Sequence, residues 1–192
     1  MIRPLLASFV ALMVLTGATA HATITINATT LSTNTRWGSG AVPPDTDYLI
    51  APSTGSTLTV NAGVTLTIDP GTHVHLAPGI SLVVNGSLVA NGTAPLPIRF
   101  EPNGVAGDWG GLSFATAATA QVRNCVFTGF GAYPVAATLP TAGPLFAENT
   151  FVPRADGHYN AIRLIGGTVT TSDTLTRPAP GFCYLVDPSD DI

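Results

Sequence analysis

His73-Val74-His75 is the first place in this sequence where residue type and spacing suggest chemistry. With Val74 turned inward from a strand, both imidazoles stand outward about 7 Å apart. Two nitrogen donors held that way need one more ligand to grip a metal ion. Arg99 and Arg123 follow His75 at equal steps of 24 along the chain. In a stacked fold with that period the three would form one outward column, about 4.8 Å between neighbours. Two readings of the column stand open: a shallow site where arginine forks grip an acidic glycan or another anion, or a solvated face that blunts aggregation. The same step sets Pro97 beside His73 and Arg99 beside His75. A cation there works against a metal, so no metal ion and no cofactor is expected.

The carboxylates are scattered along the chain: Asp69, Glu101, Asp108, Glu148, Asp156 and the pair Asp190-Asp191. A calcium cage needs several acids converging, and glycoside hydrolysis needs two about 5–9.5 Å apart. Glu101 and Asp108 would meet only if their loops bend together, so no catalytic residue is assigned. Thr57/Thr59 and Thr65/Thr67 form a threonine array that ends after one step, too short to suggest ice binding. Cys125 and Cys183 could pair in an oxidising compartment, but only if the C-terminal tail folds back along the side of the molecule.

The elements that must carry these residues are written in the repeat from Leu58 to Phe100. Leu58 and Val60 return as Leu82 and Val84, and Val74 and Leu76 as Ile98 and Phe100, each at a step of 24. Leu66 and Ile68 return as Leu88 and Ala90 at a step of 22. Every pair skips one residue, which is the period of a strand. Short alternating strands, Gly/Asn/Pro turns and a fixed period near 24 mark a β-solenoid. Leu112, Phe114 and Val122 continue the repeat, FAENTF at 146–151 copies VRNCVF at 122–127, and Ile162, Leu164 and the run from Val169 give a weaker last copy. The expected interior is Leu58, Val60, Leu66, Ile68, Val74, Leu76, Leu82, Val84, Leu88, Ala90, Ile98, Phe100, Leu112, Phe114, Val122, Phe127, Phe146, Phe151, Ile162 and Leu164. Asn61/Asn85 and Cys125/Asn149 form turn columns of structural purpose, and Trp109-Gly110-Gly111 is a corner.

Charged residues are 9% of the chain and hydrophobic residues 45%. With strict alternation, that mixture fits a folded β protein. The segment 1–22 carries Arg3, an apolar run from Leu5 to Leu15 too short to span a bilayer, and a small-residue end with cleavage after Ala22 or Ala20. Without that segment six arginines face eleven acids, a net charge of −5. An acidic chain disfavours nucleic acid and anionic membranes as partners.

LTVNAGVTLTIDPGTHVHL, SLVVNGSLVANGTAPLPIRF and GDWGGLSF, in that order, resemble the right-handed parallel β-helix domains of exported bacterial proteins with the pectate-lyase-like fold. The resemblance covers about residues 48–130 closely and 131–175 loosely. It implies right-handed winding and export. For function it leaves a choice between a surface protein and a carbohydrate-active enzyme.

The expected molecule is all-β: a short right-handed parallel β-helix of about five rungs. Its parts are a signal peptide (1–22), an N-terminal cap (23–55), the β-helix (56–175) and a tail (176–192). The expected role is that of a secreted or periplasmic, non-enzymatic structural module, either of a surface or matrix or in contact with a glycan, for which an acidic polysaccharide or a cell-surface glycan is the candidate partner. The alternative is a polysaccharide lyase, a glycoside hydrolase or a fragment of one. No membrane span is expected after cleavage.

Overall fold

Alternation dictates the architecture. In TLTV, TLTI, HVHL and SLVV every second side chain is buried and its neighbours are half-exposed. No such short strand can hide two large apolar groups alone, so successive strands stack and bury a common interior, at about 1.5–3 kcal/mol for each fully covered aliphatic or aromatic side chain. The computed structural model describes residues 23–38, 47–104, 108–138, 148–157, 159–166 and 180–186. The expected export segment, Phe146, the run from Val169 and Asp190-Asp191 lie outside the described residues.

The first turn holds β1 (Thr23–Ile26), β2 (Thr30–Leu31) and β3 (Thr35–Trp37). The second holds β4 (Asp47–Ile50), β5 (Thr57–Val60) and β6 (Thr65–Ile68), and the third β7 (His73–Leu76), β8 (Ser81–Val84) and β9 (Ser87–Asn91). Then come β10 (Ile98–Pro102), β11 (Gly111–Phe114) and β12 (Thr119–Arg123). β13 (Cys125–Phe127), β14 (Val135–Ala137), β15 (Thr150–Phe151), β16 (Ala161–Leu164) and β17 (Cys183–Val186) complete the described strands. All pairing among them is parallel. Sheet I runs β1-β4-β7-β10-β13-β15, sheet II β17-β16-β14-β11-β8-β5-β2, and sheet III β12-β9-β6-β3. Through β12 the chain visits the three sheets in rotation; the described strands after it belong to sheets I and II, and the whole is a right-handed β-solenoid of about five turns. No described helix is long and apolar enough to cross a membrane.

The lead-in segment contributes the end strand of each sheet rather than lying apart from them, with β1 on β4, β2 on β5 and β3 on β6. Trp37 and Tyr48 stack inside that end at 5.2 Å. Every expected interior residue that is described is buried, and Trp109, Phe130, Cys125 and Phe182 join them. Phe100, Phe127 and Phe151 form a column of near-parallel rings at 5.1 and 4.9 Å.

The spacing is about 26 residues, against an expected period near 24. Steps of 24 and 22 hold where Leu58 meets Leu82 and Leu66 meets Leu88. A step of 24 also holds where Phe127 meets Phe151, but at other crossings the corners are longer. Val74 lies against Phe100 instead of Ile98, Leu82 against Leu112, and Ala90 against Val122. A displacement by an even number of positions keeps the inward set inward, so the interior tolerates it. One long corner is the 92–97 connection, where Thr93 and Leu96 exchange backbone hydrogen bonds of 3.1 and 3.0 Å. At the start of β11, Gly111 has φ +104° and a Cβ there would strike the Tyr133 carbonyl. The glycine is obligatory.

Candidate functional site

Sheet I carries the site on its outer face. Inward Tyr48 and Ile50 turn Asp47 outward from β4, inward Val74 and Leu76 turn both histidines outward from β7, and inward Ile98 and Phe100 turn Arg99 and Glu101 outward from β10. Ahead of β7 the Asp69–Thr72 turn is clamped. The Thr72 hydroxyl donates to the Asp69 carbonyl at 2.7 Å, and the Arg36 guanidinium grips both carboxylate oxygens of Asp69, Nε at 2.9 Å and Nη2 at 2.8 Å. The hydrogen bond to Asp69 raises the Arg36 pKa above its ordinary value, followed by their mutual attraction. The point where His73 begins is therefore fixed.

Register brings four groups together. Asp47 pairs with His73 and His73 with Arg99, while Leu49 pairs with His75 and His75 with Glu101. Nδ1 of His73 lies 3.1 Å from Oε1 of Glu101, a hydrogen bond when the ring carries its hydrogen there. The same nitrogen is 3.9 Å from Oδ1 of Asp47. His75 has a carboxylate at each ring nitrogen, with Nε2 3.7 Å from Asp47 Oδ1 and Nδ1 3.8 Å from Glu101 Oε1. Its Nδ1 is buried and has no hydrogen-bond partner among the described residues. The side chains keep 18–30% of their surface, so solvent reaches the cluster.

This arrangement corrects the column His75, Arg99, Arg123. Arg99 stands beside His73 and Val126. Arg123 is on sheet III beside Asn91. The neighbour of His75 is Glu101, so the cation that argued against a metal at His75 is absent from that position. Of the four residues expected to bind a ligand, His73, His75 and Arg99 share a face and Arg123 does not. Sequence reasoning misses Asp47, although DTDYLI alternates as HVHL does and lies one turn below it.

Cys125 and Cys183 are free thiols, so the disulfide that they could have formed is not made. Cys125 is inside the stack on sheet I, and Cys183 is exposed on β17 of sheet II. Burial pushes the Cys125 thiol up to about 12, even with backbone hydrogen bonds at Gly92 and Arg123 acting against the rise. It is a packing residue.

A second cluster lies around Arg154. Its Nη1 meets Asp108 Oδ2 at 2.6 Å and the Phe130 carbonyl at 2.7 Å, while Nε and Nη2 meet Asp156 at 3.1 and 3.0 Å. Its pKa is raised, first by the hydrogen bond to Asp156 and then by that to Asp108. This cation ties the GDWGG corner to a later connection. On sheet III the row Thr65, Ser87, Thr119 is in register, with the Thr119 hydroxyl donating to Ser87 Oγ at 2.9 Å. That row borders an open hollow together with Asn85. No family model, no curated protein and no solved structure matches this chain.

Proposed function

We propose that this chain is an exported, non-enzymatic β-solenoid of the pectate-lyase-like kind, serving as a surface or matrix module that contacts cell-surface glycans. The observation that supports it is the hydroxyl row Thr65–Ser87–Thr119 beside Asn85, an uncharged strip of donors and acceptors on an open face. Hydroxyls and amides at the strand spacing of about 4.8 Å can hydrogen-bond sugar hydroxyls without the cost of desolvating a charge. An acidic polysaccharide loses its main support, because Arg99 and Arg123 lie on different sheets. The Arg154 guanidinium is engaged by two carboxylates and a carbonyl, which leaves it a poor base for lyase chemistry.

The test is to recover the chain from outside expressing cells, sequence its N-terminus and apply it to a glycan array. The expected N-terminus is Thr23 or His21, with retention on glycans that falls at least tenfold in Ser87→Ala/Thr119→Ala. Cytosolic retention overturns export, and glycan binding indifferent to that double variant overturns the surface. Release of sugar fragments from a polysaccharide would replace the reading with a carbohydrate-active enzyme.

A further inference from the structure

We infer that Asp47, His73 and His75 form a binding site for a first-row divalent cation, zinc being the probe of choice, with Glu101 as the positioning residue of His75. This stands apart from the glycan role and uses a different sheet. One carboxylate oxygen of Asp47 and one nitrogen from each histidine all lie within 4.8 Å of one another. With ligand bonds of about 2.0–2.2 Å, the edge of a zinc tetrahedron is about 3.4 Å. The Oδ1 to Nδ1 and Oδ1 to Nε2 separations, 3.9 and 3.7 Å, need to close by only a few tenths of an ångström. Two imidazoles and one carboxylate favour zinc-like ions over calcium or magnesium, which take oxygen donors.

Glu101 supplies the independent observation. When Nε2 of His75 holds the ion, Nδ1 must carry the hydrogen and wants an acceptor. That buried nitrogen has none among the described residues, yet Glu101 Oε1 waits 3.8 Å away. Glu101 lies 3.1 Å from Nδ1 of His73. Coordination of that nitrogen moves the ring hydrogen to Nε2 by way of solvent and releases Glu101 to turn to His75. The ligands come from two adjacent strands and the positioning carboxylate from a third, so an ion clips β4 to β7 and draws β10 toward them.

The experiment is zinc titration of the full chain after chelator treatment, followed by calorimetry, metal analysis and thermal unfolding. One zinc per chain and a rise of several degrees in Tm are expected. Asp47→Asn and His75→Ala should each weaken binding at least a hundredfold. Glu101→Gln should weaken it 10–100-fold, and Arg123→Ala should leave it unchanged. These side chains point out of the core, so circular dichroism of each metal-free variant should match the parent. Should His75→Ala not fold, His75→Gln takes its place. Failure of the parent chain to take up one equivalent overturns the site, as does equal affinity in Asp47→Asn/His75→Ala.

Discussion

His75 lies in register with Glu101, one turn further along, and their side chains approach to 3.8 Å on the outer face of sheet I. Arg99, two positions earlier on the same strand, is the neighbour of His73. The chemistry of this face depends on which of the two is true of His75, and the difference can be measured.

A cysteine at each of two registered positions brings Cα atoms within the range of a disulfide, about 4.4–6.8 Å. In a Cys183→Ser background, His75→Cys/Glu101→Cys should oxidise to an intramolecular bond and His75→Cys/Arg99→Cys should not. Peptide mapping under non-reducing conditions decides between them.

The two native thiols should differ sharply in reactivity. Cys183 is exposed and should react at once with a thiol reagent, and Cys125 only on unfolding. The Cys125 pKa is about 12 in the fold against an ordinary 9.0, so above pH 9 the unfolded chain loses a proton that the folded chain keeps. Stability from this group is whole below pH 9 and falls as pH rises toward 12. Urea midpoints measured from pH 8 to 11 should decline, less so in Cys125→Ala once its cavity cost at pH 8 is subtracted.

Phe127 is sandwiched between Phe100 and Phe151 and has no exposed surface. Phe127→Ala should cost about 3–5 kcal/mol, read by chemical denaturation. A loss below about 1 kcal/mol would mean that the column does not hold the turns together.

Asn149 binds two backbone groups from the preceding turn. Its Oδ1 accepts from the Cys125 amide and its Nδ2 donates to the Val122 carbonyl, both at 2.8 Å. Asn149→Ala leaves both without that side chain in the interior, at an expected cost of about 1–3 kcal/mol. Faster hydrogen exchange at the Cys125 amide should accompany the loss.

The interior was legible and the outer face was not, for one physical reason. Facing has a period of two, so any even displacement of one strand against the next keeps Val74, Leu76, Ile98 and Phe100 inside. Steps of 24 and 26 therefore satisfy the hydrophobic pattern equally, and only corner length separates them. Outward neighbours are not so forgiving, because a shift of two exchanges Glu101 for Arg99 beside His75. Asp47 is hidden for a related reason, since its strand follows Pro43-Pro44 in a segment whose punctuation points to a cap. The buried thiol and the Arg154 hub depend on how the chain crosses corners, and alternation says nothing about that.

The 92–97 connection thus governs more than the path of the backbone. Sliding β10 by two positions through a corner insertion or deletion would re-partner every outward group on that strand with no substitution at the cluster itself. A lineage could gain or lose the imidazole–carboxylate cluster by a six-nucleotide change in a loop that contains none of its members. Alignments that score only residue identity at positions 47, 73, 75 and 101 would miss such an event.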